Sequence, residues 1–352
     1  MKERNQPEQI RGLTIIPSGS TTLNLACSDN VKGAFVLGTI VNIIGDSSSG
    51  KTLLCLTILA ELCRLPQFKN YVFIHDNVER TEGFDINYLF GKELSKRIEP
   101  PSRDKEGNPV YSSTIQNFQL FINKRLKSKK PFIYILDSLD ALDAEEDIKK
   151  REETFKAMEK GNKISGSYKM AKPKALSEIF RDIVDTISNS ASLLIIISQT
   201  RDNIDPMSFE KKTRSGGRAL RFFATHEIWM ALAGKIMQTV KGKKYTIGNN
   251  VLVKVSKNKL TGKIREAKFP IYYDYGLDDI RSCIDYLIEN KIWSKTDKSI
   301  TAPELKYKGG YEKLIQKIEE NGLEGKLKQV VANTWREIED KLKFSNRKRK
   351  YE

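Results

Sequence analysis

The chain has 352 residues and a hydrophobic content of 39%, which is ordinary for a globular protein with one large core and a smaller appendage. Lysine and arginine exceed aspartate and glutamate by 61 − 45 = 16, an excess that favours a polyanionic partner such as nucleic acid, although a solvated basic surface has the same composition. The 4 cysteines without a C-x-x-C pair and the 2 histidines exclude a disulfide framework and a zinc site, and no apolar run is long enough to span a membrane, so we expect a cytoplasmic protein without membrane contact.

The first informative element is a glycine-bracketed loop that follows the apolar run Ile40–Ile44 and precedes an apolar-periodic segment from Leu53. In such a loop the backbone N–H groups turn inward around phosphates, and the next helix directs its positive end at them. Lys51 would reach the β- and γ-phosphates, and the Thr52 hydroxyl would hold Mg²⁺. The predicted site for ATP and Mg²⁺, called the phosphate loop below, consists of Gly45, Asp46, Ser47, Ser48, Ser49, Gly50, Lys51 and Thr52.

Short, nearly unbroken apolar runs are typical of parallel strands that are covered on both faces. The predicted parallel strands are Ile40–Ile44, Tyr71–Ile74, Phe132–Leu136 and Leu193–Ile197. Helical patterns at Thr52–Arg64 and Ala175–Ser188 lie between them. This alternation predicts an α/β fold with a doubly wound, mostly parallel sheet, whose ligand site lies at the carboxyl ends of the strands.

Further strand-like runs continue the sheet in antiparallel form, because turn signals separate them. The predicted antiparallel strands are Glu227–Ala231, Lys244–Ile247, Val251–Ser256 and Ala267–Tyr273. From about residue 277 the pattern becomes helical and polar, and the chain closes with a basic tail. The predicted organisation is an extension over 1–12, an ATPase core over 13–275, a small helical C-terminal region over 276–340 and a tail over 341–352.

Polar residues follow two of the predicted parallel strands. Asp137 ends one of them, where a carboxylate lies beside Mg²⁺ or its water ligands. Asp140 is a second acidic candidate, although capping of the next helix would also explain it. Gln199 ends the other strand, and an amide at this position would report hydrolysis to the loop that follows.

In order and spacing, these residues resemble the RecA family of recombinases over roughly residues 11–275. The segments that carry the resemblance are Thr14–Ser20 with Leu23, the phosphate loop, Asp137-Ser138, Gln199, the Gly-Gly-x-Ala-Leu-x-Phe segment at 216–222 and Lys254–Lys259. The short termini are also similar to phage or mobile-element members. The resemblance implies a RecA-like core and a DNA-dependent ATPase that assembles on single-stranded DNA, pairs it with duplex DNA and exchanges strands.

The resemblance further implies contacts between copies of the chain. Lys257 and Lys259 match the pair that reaches the neighbouring subunit's γ-phosphate, and Phe222 matches the position that packs into a neighbour. Without the resemblance, the lysines would be an exposed face of a strand and Phe222 a core aromatic. The implied partners are therefore other copies of the chain, in a helical filament or a ring, besides single- and double-stranded DNA and a single-strand-binding or replication protein.

Two DNA-binding loops are expected from the resemblance. The first falls between Asp143 and Lys174 and the second between Arg201 and Ser215, and basic residues in both suit neutralisation of phosphates. A solvated insertion would have a similar composition. The candidate DNA-binding residues are Lys163, Tyr168, Lys169, Lys172 and Lys174 in the first loop, and Arg201, Lys211, Lys212, Arg214 and Arg218 in or just beyond the second.

One departure from the family concerns the catalytic glutamate that activates the attacking water. The direct match places Asn77 there, and an amide does not accept a proton. Either Asp76 or Glu79 substitutes after a small shift, or hydrolysis is slow and nucleotide binding does most of the switching. The alternative functions are a ring helicase or helicase loader of the same superfamily, and a non-hydrolysing, ATP-bound, DNA-binding assembly or mediator protein.

Overall fold

A computed structural model describes residues 12–80, 84–160, 171–202, 212–214 and 217–344 of the chain. The strands are β1 Ile15–Ile16, β2 Phe35–Val36, β3 Thr39–Gly45, β4 Val72–Asn77, β5 Ser102–Arg103, β6 Pro109–Val110, β7 Phe132–Asp137, β8 Leu193–Asp202, β9 Lys212–Arg214, β10 His226–Val240, β11 Lys243–Asn258, β12 Arg265–Tyr272, β13 Gly276–Leu277, β14 Ser294–Lys295, β15 Ile300–Ala302 and β16 Tyr307–Gly309. The helices are α1 Thr21–Ser28, α2 Lys51–Cys63, α3 Ile86–Phe90, α4 Lys92–Arg97, α5 Ile115–Lys127, α6 Glu145–Glu159, α7 Ala171–Ser188, α8 Gly217–Phe223, α9 Asp279–Glu289, α10 Tyr311–Glu320 and α11 Glu324–Lys341.

The main sheet has the strand order β13-β12-β11-β10-β3-β8-β7-β4, with β9 paired to β8. The neighbours from β10 through β3, β8 and β7 to β4 are parallel, whereas β11, β12 and β13 continue the sheet in antiparallel form. The predicted fold class, a RecA-like doubly wound sheet with an antiparallel continuation, is therefore confirmed. All four predicted parallel strands are present, although β4 begins at Val72 and does not include Tyr71.

Both faces of the parallel strands are buried, which explains why their sequences do not alternate with polar residues. On β8, Leu193, Ile195 and Ile197 lie in a core that includes the apolar face of α2. Leu194 and Ile196 face the other way, into a core with α5 and α7. The strands are thus enclosed between two helical layers.

The antiparallel part differs from the prediction at Gly248-Asn249-Asn250. This triplet was expected to be a turn between two strands, but β11 runs through it from Lys243 to Asn258. The chain turns earlier, between β10 and β11, at Lys241 and Gly242. Both residues have positive φ (49° and 79°), the conformation that a two-residue hairpin turn requires. Register shifts on β10 between 232 and 234 and between 236 and 237 accommodate this long pairing.

After the sheet, the C-terminal region is mainly helical, as predicted, with α9, α10 and α11. It also contains the small antiparallel sheet β14-β15-β16, which the sequence analysis did not predict. The region packs against the core through apolar side chains that include Cys283 on α9 and Trp335 on α11. The predicted domain bounds stay a prediction. No helix among the described residues is both long enough and apolar enough to cross a membrane.

One side chain connects the last helix to the first. Trp335 is 6% exposed, and its indole Nε1 donates to Asp29 Oδ1 at 2.9 Å, just after α1. Its ring lies 6.3 Å from that of Tyr286 on α9. The C-terminal helix therefore shares a hydrogen bond and a core contact with the beginning of the chain.

We expect Trp335→Ala to lower the free energy of unfolding by about 3–5 kcal/mol, because truncation of a buried tryptophan leaves a cavity. Chemical denaturation with fluorescence and circular dichroism would measure this change. The neighbouring Arg336 is exposed, so Arg336→Ala is the matched control and should stay within about 0.5 kcal/mol of the wild type. Equal effects of both substitutions would contradict the docking role of Trp335.

Candidate active site

The phosphate loop connects the carboxyl end of β3 to the first residue of α2. Gly50 has φ +89°, and a Cβ there would lie 2.6 Å from Ile271 Cδ1. A Cβ on Gly45 would lie 2.6 Å from the Met230 carbonyl oxygen. Both positions therefore require glycine, since a larger residue would displace the loop from the strands beside it.

Lys51 is the buried cation of this loop. The residue is 8% exposed, and its Nζ donates to the carbonyl oxygens of Gly45 at 2.9 Å and Asp46 at 2.7 Å. Burial lowers the pKa of Lys51, while nearby carboxylates, of which Asp137 acts most strongly, oppose this shift. A buried ammonium group is stabilised by a nearby opposite charge, so the arrangement suits an anionic ligand such as a phosphate.

Thr52 and Asp137 meet at the predicted metal position. Thr52 Oγ1 donates to Asp137 Oδ2 at 2.7 Å, and His75 Nε2 lies 3.3 Å from the same oxygen. Among the described residues, no group of three or more histidine, cysteine, aspartate or glutamate side chains is arranged to hold a metal. A hydroxyl and a single carboxylate fit Mg²⁺, which prefers oxygen ligands and takes much of its coordination from phosphates and water.

Glu79 contacts Ser138, the residue after Asp137, and its carboxylate is held by two donors. Oε1 accepts from Ser138 Oγ at 2.5 Å and from Gln199 Nε2 at 2.9 Å. Gln199 is fixed at its other end as well, since its backbone N–H donates to Asp140 Oδ2 at 2.6 Å. The structure thus brings the predicted switch glutamine and one of the three candidate catalytic residues into direct contact.

The other two candidates are placed differently. Asp76 is 4% exposed and accepts from Ser112 N–H at 2.9 Å, from Ser112 Oγ at 2.5 Å and from Tyr134 OH at 2.6 Å. These partners lie on the α5 side of the sheet, away from the phosphate loop. Asn77 is the last residue of β4 and pairs with Asp137 in the parallel register. Glu79 lies in the turn after β4. Its backbone N–H donates to the Asp137 carbonyl oxygen at 3.2 Å, which places the turn at the end of β7.

Asp46 connects the phosphate loop to the paired strands β8 and β9. These strands include both ends of the predicted second DNA-binding loop, which were expected to be irregular. Its carboxylate accepts a hydrogen bond from the Thr200 hydroxyl and forms an ion pair with Lys212. The contacts from Lys212 and Thr200 lower the pKa of the Asp46 carboxyl. The two predicted sites, one for nucleotide and one for DNA, are therefore in direct contact.

Several other predicted DNA-binding residues also have partners within the chain. Arg201 is 3.6 Å from Asp140, and Lys172 Nζ donates to the carbonyl oxygens of Leu139, Asp140 and Leu142. Lys174 is exposed on α7. Arg214 and Arg218 lie in β9 and α8, whereas Lys163, Tyr168, Lys169 and Lys211 lie outside the described residues.

The expected loop between 143 and 174 is partly helical. α6 covers Glu145–Glu159 and α7 begins at Ala171, four residues before the predicted start. The sequence of α6 explains this difference, because it consists largely of strong helix formers and has acidic residues in its first turn, at 145–147. The prediction gave too much weight to the glycine- and serine-containing stretch that follows α6.

Lys257, Lys259 and Phe222 form one cluster at the end of α8, in which Lys257 is half-buried and the other two are exposed. Lys257 Nζ donates to the Phe222 carbonyl oxygen at 3.0 Å and also to that of Arg221, and Lys259 Nζ donates to the Phe222 carbonyl at 2.8 Å. Phe222 is 71% exposed, so it is not a core aromatic. Burial lowers the pKa of Lys257 to about 8. In the register, Lys257 is level with Glu227 and with Asn42, the middle residue of β3, whereas the phosphate loop begins at Gly45.

A cavity of about 410 Å³ opens beside the phosphate loop and was missed by the sequence analysis. Its lining includes Ser48, Gly50, Phe84, Tyr88, Leu232 and Tyr273. The exposed aromatic rings of Phe84, Tyr88 and Tyr273 offer flat apolar surfaces of the kind on which a nucleotide base stacks. In the sequence, the spacing of Phe84 and Tyr88 by four residues is only a weak indication of such a cavity. Tyr273 is distant in sequence and lies near them only in the folded chain.

These features define the class of protein, an α/β protein with a RecA-like core and a glycine-bracketed loop between β3 and α2. The RecA N-terminal domain family matches residues 127–278, a range that includes Asp137, Gln199 and Lys257 but not the phosphate loop. Protein RecA of Leptospira biflexa is 26% identical over 288 residues, covering 80% of this chain and 65% of that protein. Protein RecA of Oleidesulfovibrio alaskensis is 28% identical over 313 residues (88% and 79%), and that of Thermus thermophilus is 26% identical over 308 residues (87% and 81%).

The chain therefore resembles RecA-like recombinases, through the family model over residues 127–278 and through relatives of 26–28% identity. It spans slightly less than two thirds of the length of the Leptospira relative. The prediction of a phosphate site in this loop depends on the sequence and geometry of the loop itself, because the loop precedes the residues that the RecA N-terminal domain family matches.

We expect Asp46→Asn to loosen the pairing of β8 with β9, since the substitution removes the ion pair to Lys212. Hydrogen exchange of the amides at 200–202 and 212–214 should quicken by roughly two- to fivefold, the effect of losing an exposed ion pair. The exposed neighbour Ser47 provides the control Ser47→Ala, which should leave exchange unchanged. Unchanged exchange in Asp46→Asn would mean that the contact does not hold these strands.

Proposed function

We propose that the chain is a DNA-dependent ATPase that assembles on single-stranded DNA, pairs it with a homologous duplex and promotes strand exchange. The observation that carries the ATPase part is the contact of Glu79 with both Ser138 and Gln199, next to the pair Thr52 and Asp137. A phosphate-binding loop, a metal-binding pair, a carboxylate and an amide thus lie at one edge of the sheet. The predicted cytoplasmic location stays a prediction.

In the proposed reaction, Glu79 accepts the proton of the attacking water. A carboxylate does this more readily than the amide of Asn77, and the donors Ser138 and Gln199 keep its orientation. Lys51 and the N–H groups of the phosphate loop bind the phosphates, with Mg²⁺ held by Thr52 and Asp137. The metal supplies charge neutralisation when it is bound. The aromatic cavity that includes Tyr88 and Tyr273 accepts the base.

Gln199 is suited to transmit the state of the nucleotide to DNA. It contacts Glu79 at its side chain, and the next residue of β8, Thr200, contacts Asp46. A change at the phosphates would thus shift the strand from which the second predicted DNA-binding loop departs. The net charge of +16 and the homology to proteins named RecA support DNA as the partner.

Assembly of several copies is supported by the position of Lys257 and Lys259. Their Nζ atoms lie at the end of α8, and not at the phosphate loop of the same chain. Exposed Phe222 lies beside them, with Lys259 Nζ 5.8 Å from its ring centre. We propose that this cluster contacts the nucleotide and surface of a neighbouring copy, as the resemblance implies.

ATP hydrolysis by the purified protein, with and without single-stranded DNA, tests the proposed function, while negative-stain microscopy of the same samples shows the form of assembly. We expect DNA to stimulate turnover and helical filaments to form with ATP. Closed rings with unwinding of forked DNA would instead indicate a helicase. Stable assemblies with negligible turnover would indicate a non-hydrolysing mediator.

We expect Glu79→Gln to reduce turnover by about 10²- to 10⁴-fold while ATP binding is retained, because the substitution keeps the shape and removes the proton acceptor. Fluorescent-nucleotide titration and steady-state hydrolysis would separate the two effects. Asn77→Ala is the matched control at the position implied by the resemblance, and Lys51→Ala should weaken binding itself. If Asn77→Ala abolished turnover and Glu79→Gln did not, the assignment of Glu79 would be wrong.

The pKa of about 8 for Lys257 predicts a pH dependence of assembly. Lysine with this pKa is mostly cationic at pH 7 and mostly neutral at pH 9, so contact with a neighbour's phosphate requires uptake of a proton at the higher pH. The concentration needed for ATP-dependent assembly should therefore rise roughly tenfold between pH 7 and pH 9. Lys257→Arg stays cationic and should remove most of this dependence, as measured by light scattering. An identical pH profile in the variant would argue against the role of Lys257.

A further inference from the structure

His75 is a polar side chain on the face of β4 that packs against α2. Successive side chains of a strand point to opposite faces, so His75 shares the face of Phe73, which lies in the core that includes α2. Asp76, the next residue, points to the other face, toward Tyr134. The His75 side chain is 13% exposed. A largely buried imidazole thus faces the layer of the fold that contains the first turn of α2.

The imidazole lies beside the predicted metal ligands. β4 and β7 are parallel neighbours, and the register places His75 level with Ile135, two residues before Asp137. His75 Nε2 lies 3.3 Å from Asp137 Oδ2, the oxygen that also accepts from Thr52 Oγ1 at 2.7 Å. The Asp137 side chain is 7% exposed. Three atoms that can bind a cation, two oxygens and one nitrogen, therefore lie close together at the end of the sheet.

The separations of these atoms suit neighbouring ligands on one metal ion. Two ligands at right angles in an octahedral site, each at about 2.1 Å from the metal, lie about 3.0 Å apart. The separations of Thr52 Oγ1 and His75 Nε2 from Asp137 Oδ2, 2.7 Å and 3.3 Å, lie on either side of this value. Small adjustments of the side chains would therefore let all three atoms bind the same ion, with phosphates and water at its other positions.

An imidazole at this place also has a simpler explanation, in which Nε2–H donates to Asp137 and orients the carboxylate. That role requires only a donor, which an amide would supply equally well. The contact of 3.3 Å is also long for it, since N–H···O hydrogen bonds are about 2.7–3.2 Å between the heavy atoms. Donation and coordination use the same nitrogen, so they exclude each other in any one complex and are separable by experiment.

We propose that His75 is a third protein ligand of the metal at the nucleotide site and gives this site a preference for a first-row transition-metal ion over Mg²⁺. This inference rests on the proposed function, because the phosphates of the nucleotide supply further ligands. Mg²⁺ takes oxygen ligands and keeps several of its waters, whereas imidazole is a good ligand for transition metals. When Mg²⁺ is bound, His75 stays a hydrogen-bond donor to Asp137.

Two substitutions at His75 separate coordination from donation. His75→Gln keeps a side-chain N–H donor near the place of Nε2 and removes the imidazole. His75→Phe keeps a ring that packs against the core and removes both the donor and the ligand. Thermal unfolding and titration with a fluorescent ATP analogue check that the full-length variants fold and bind nucleotide.

The probe is Mn²⁺ bound to the chain together with the β,γ-methylene analogue of ATP, which has no nitrogen in its phosphate chain. Pulsed electron paramagnetic resonance detects a nitrogen nucleus that is bound directly to Mn²⁺. Displacement of Mn²⁺ by Mg²⁺, followed by the relaxation of water protons, gives the ratio of the two affinities, with the analogue alone as the reference. His226, the other histidine, contacts the Cys27 carbonyl oxygen, so a signal that both substitutions remove belongs to His75.

We expect a nitrogen coupling in the wild type and none in either variant. The ratio of Mn²⁺ affinity to Mg²⁺ affinity should fall by roughly tenfold or more in both variants, since even an outer-shell partner of a metal contributes this much to its affinity. Mg²⁺ affinity should stay nearly unchanged in His75→Gln, because that variant keeps a donor to Asp137.

A wild type without the nitrogen coupling would overturn the inference. Equal losses of Mn²⁺ and Mg²⁺ affinity in His75→Phe, restored in His75→Gln, would also overturn it and would leave His75 as a residue that orients Asp137. Either result leaves the proposed ATPase intact, because nucleotide binding and hydrolysis with Mg²⁺ are measured separately. A wild type that binds no nucleotide would refute the proposed function, and this inference with it.

Discussion

The parallel register of β4, β7, β8 and β3 is the constraint on which the site depends. It places Gly45 beside Gln199, and Asn77 beside Asp137, at one edge of the sheet. Because both faces of these strands are buried in apolar cores, a slip of the register would expose a row of leucine and isoleucine side chains. The burial of the strands therefore also fixes the geometry of the candidate active site.

The proposed proton acceptor, Glu79, lies two residues after the position that the resemblance implies. A strand turns its successive side chains to opposite faces, so Asp76 lies toward Tyr134 and away from the phosphate loop. The turn after β4 then carries Glu79 back over the end of β7, where Ser138 and Gln199 hold it. In the proposed reaction, a carboxylate from the turn after β4 thus takes the part of a glutamate at the position of Asn77.

Contacts around the phosphate loop suggest how nucleotide and DNA binding are coupled. Asp46, in the phosphate loop, contacts Thr200 on β8 and Lys212 on β9, near the two ends of the predicted second DNA-binding loop. Glu79 contacts Gln199, which also lies on β8. These contacts are polar and short-ranged, so a ligand that competes for Lys51 or Glu79 would change the partners available to β8.

The sequence by itself determined the class of fold, the four parallel strands and the phosphate loop, because unbroken apolar runs and a glycine-bracketed motif are local signals. It also identified Asp137 and Gln199, since each directly follows a buried strand. It did not determine that Glu79 contacts Gln199 whereas Asp76 contacts Tyr134, nor that Lys172 and Lys212 are engaged by Leu142 and Asp46, nor where β11 begins. Those outcomes depend on side chains that are distant in sequence and meet only when the strands are in register, and only the tertiary structure decided them.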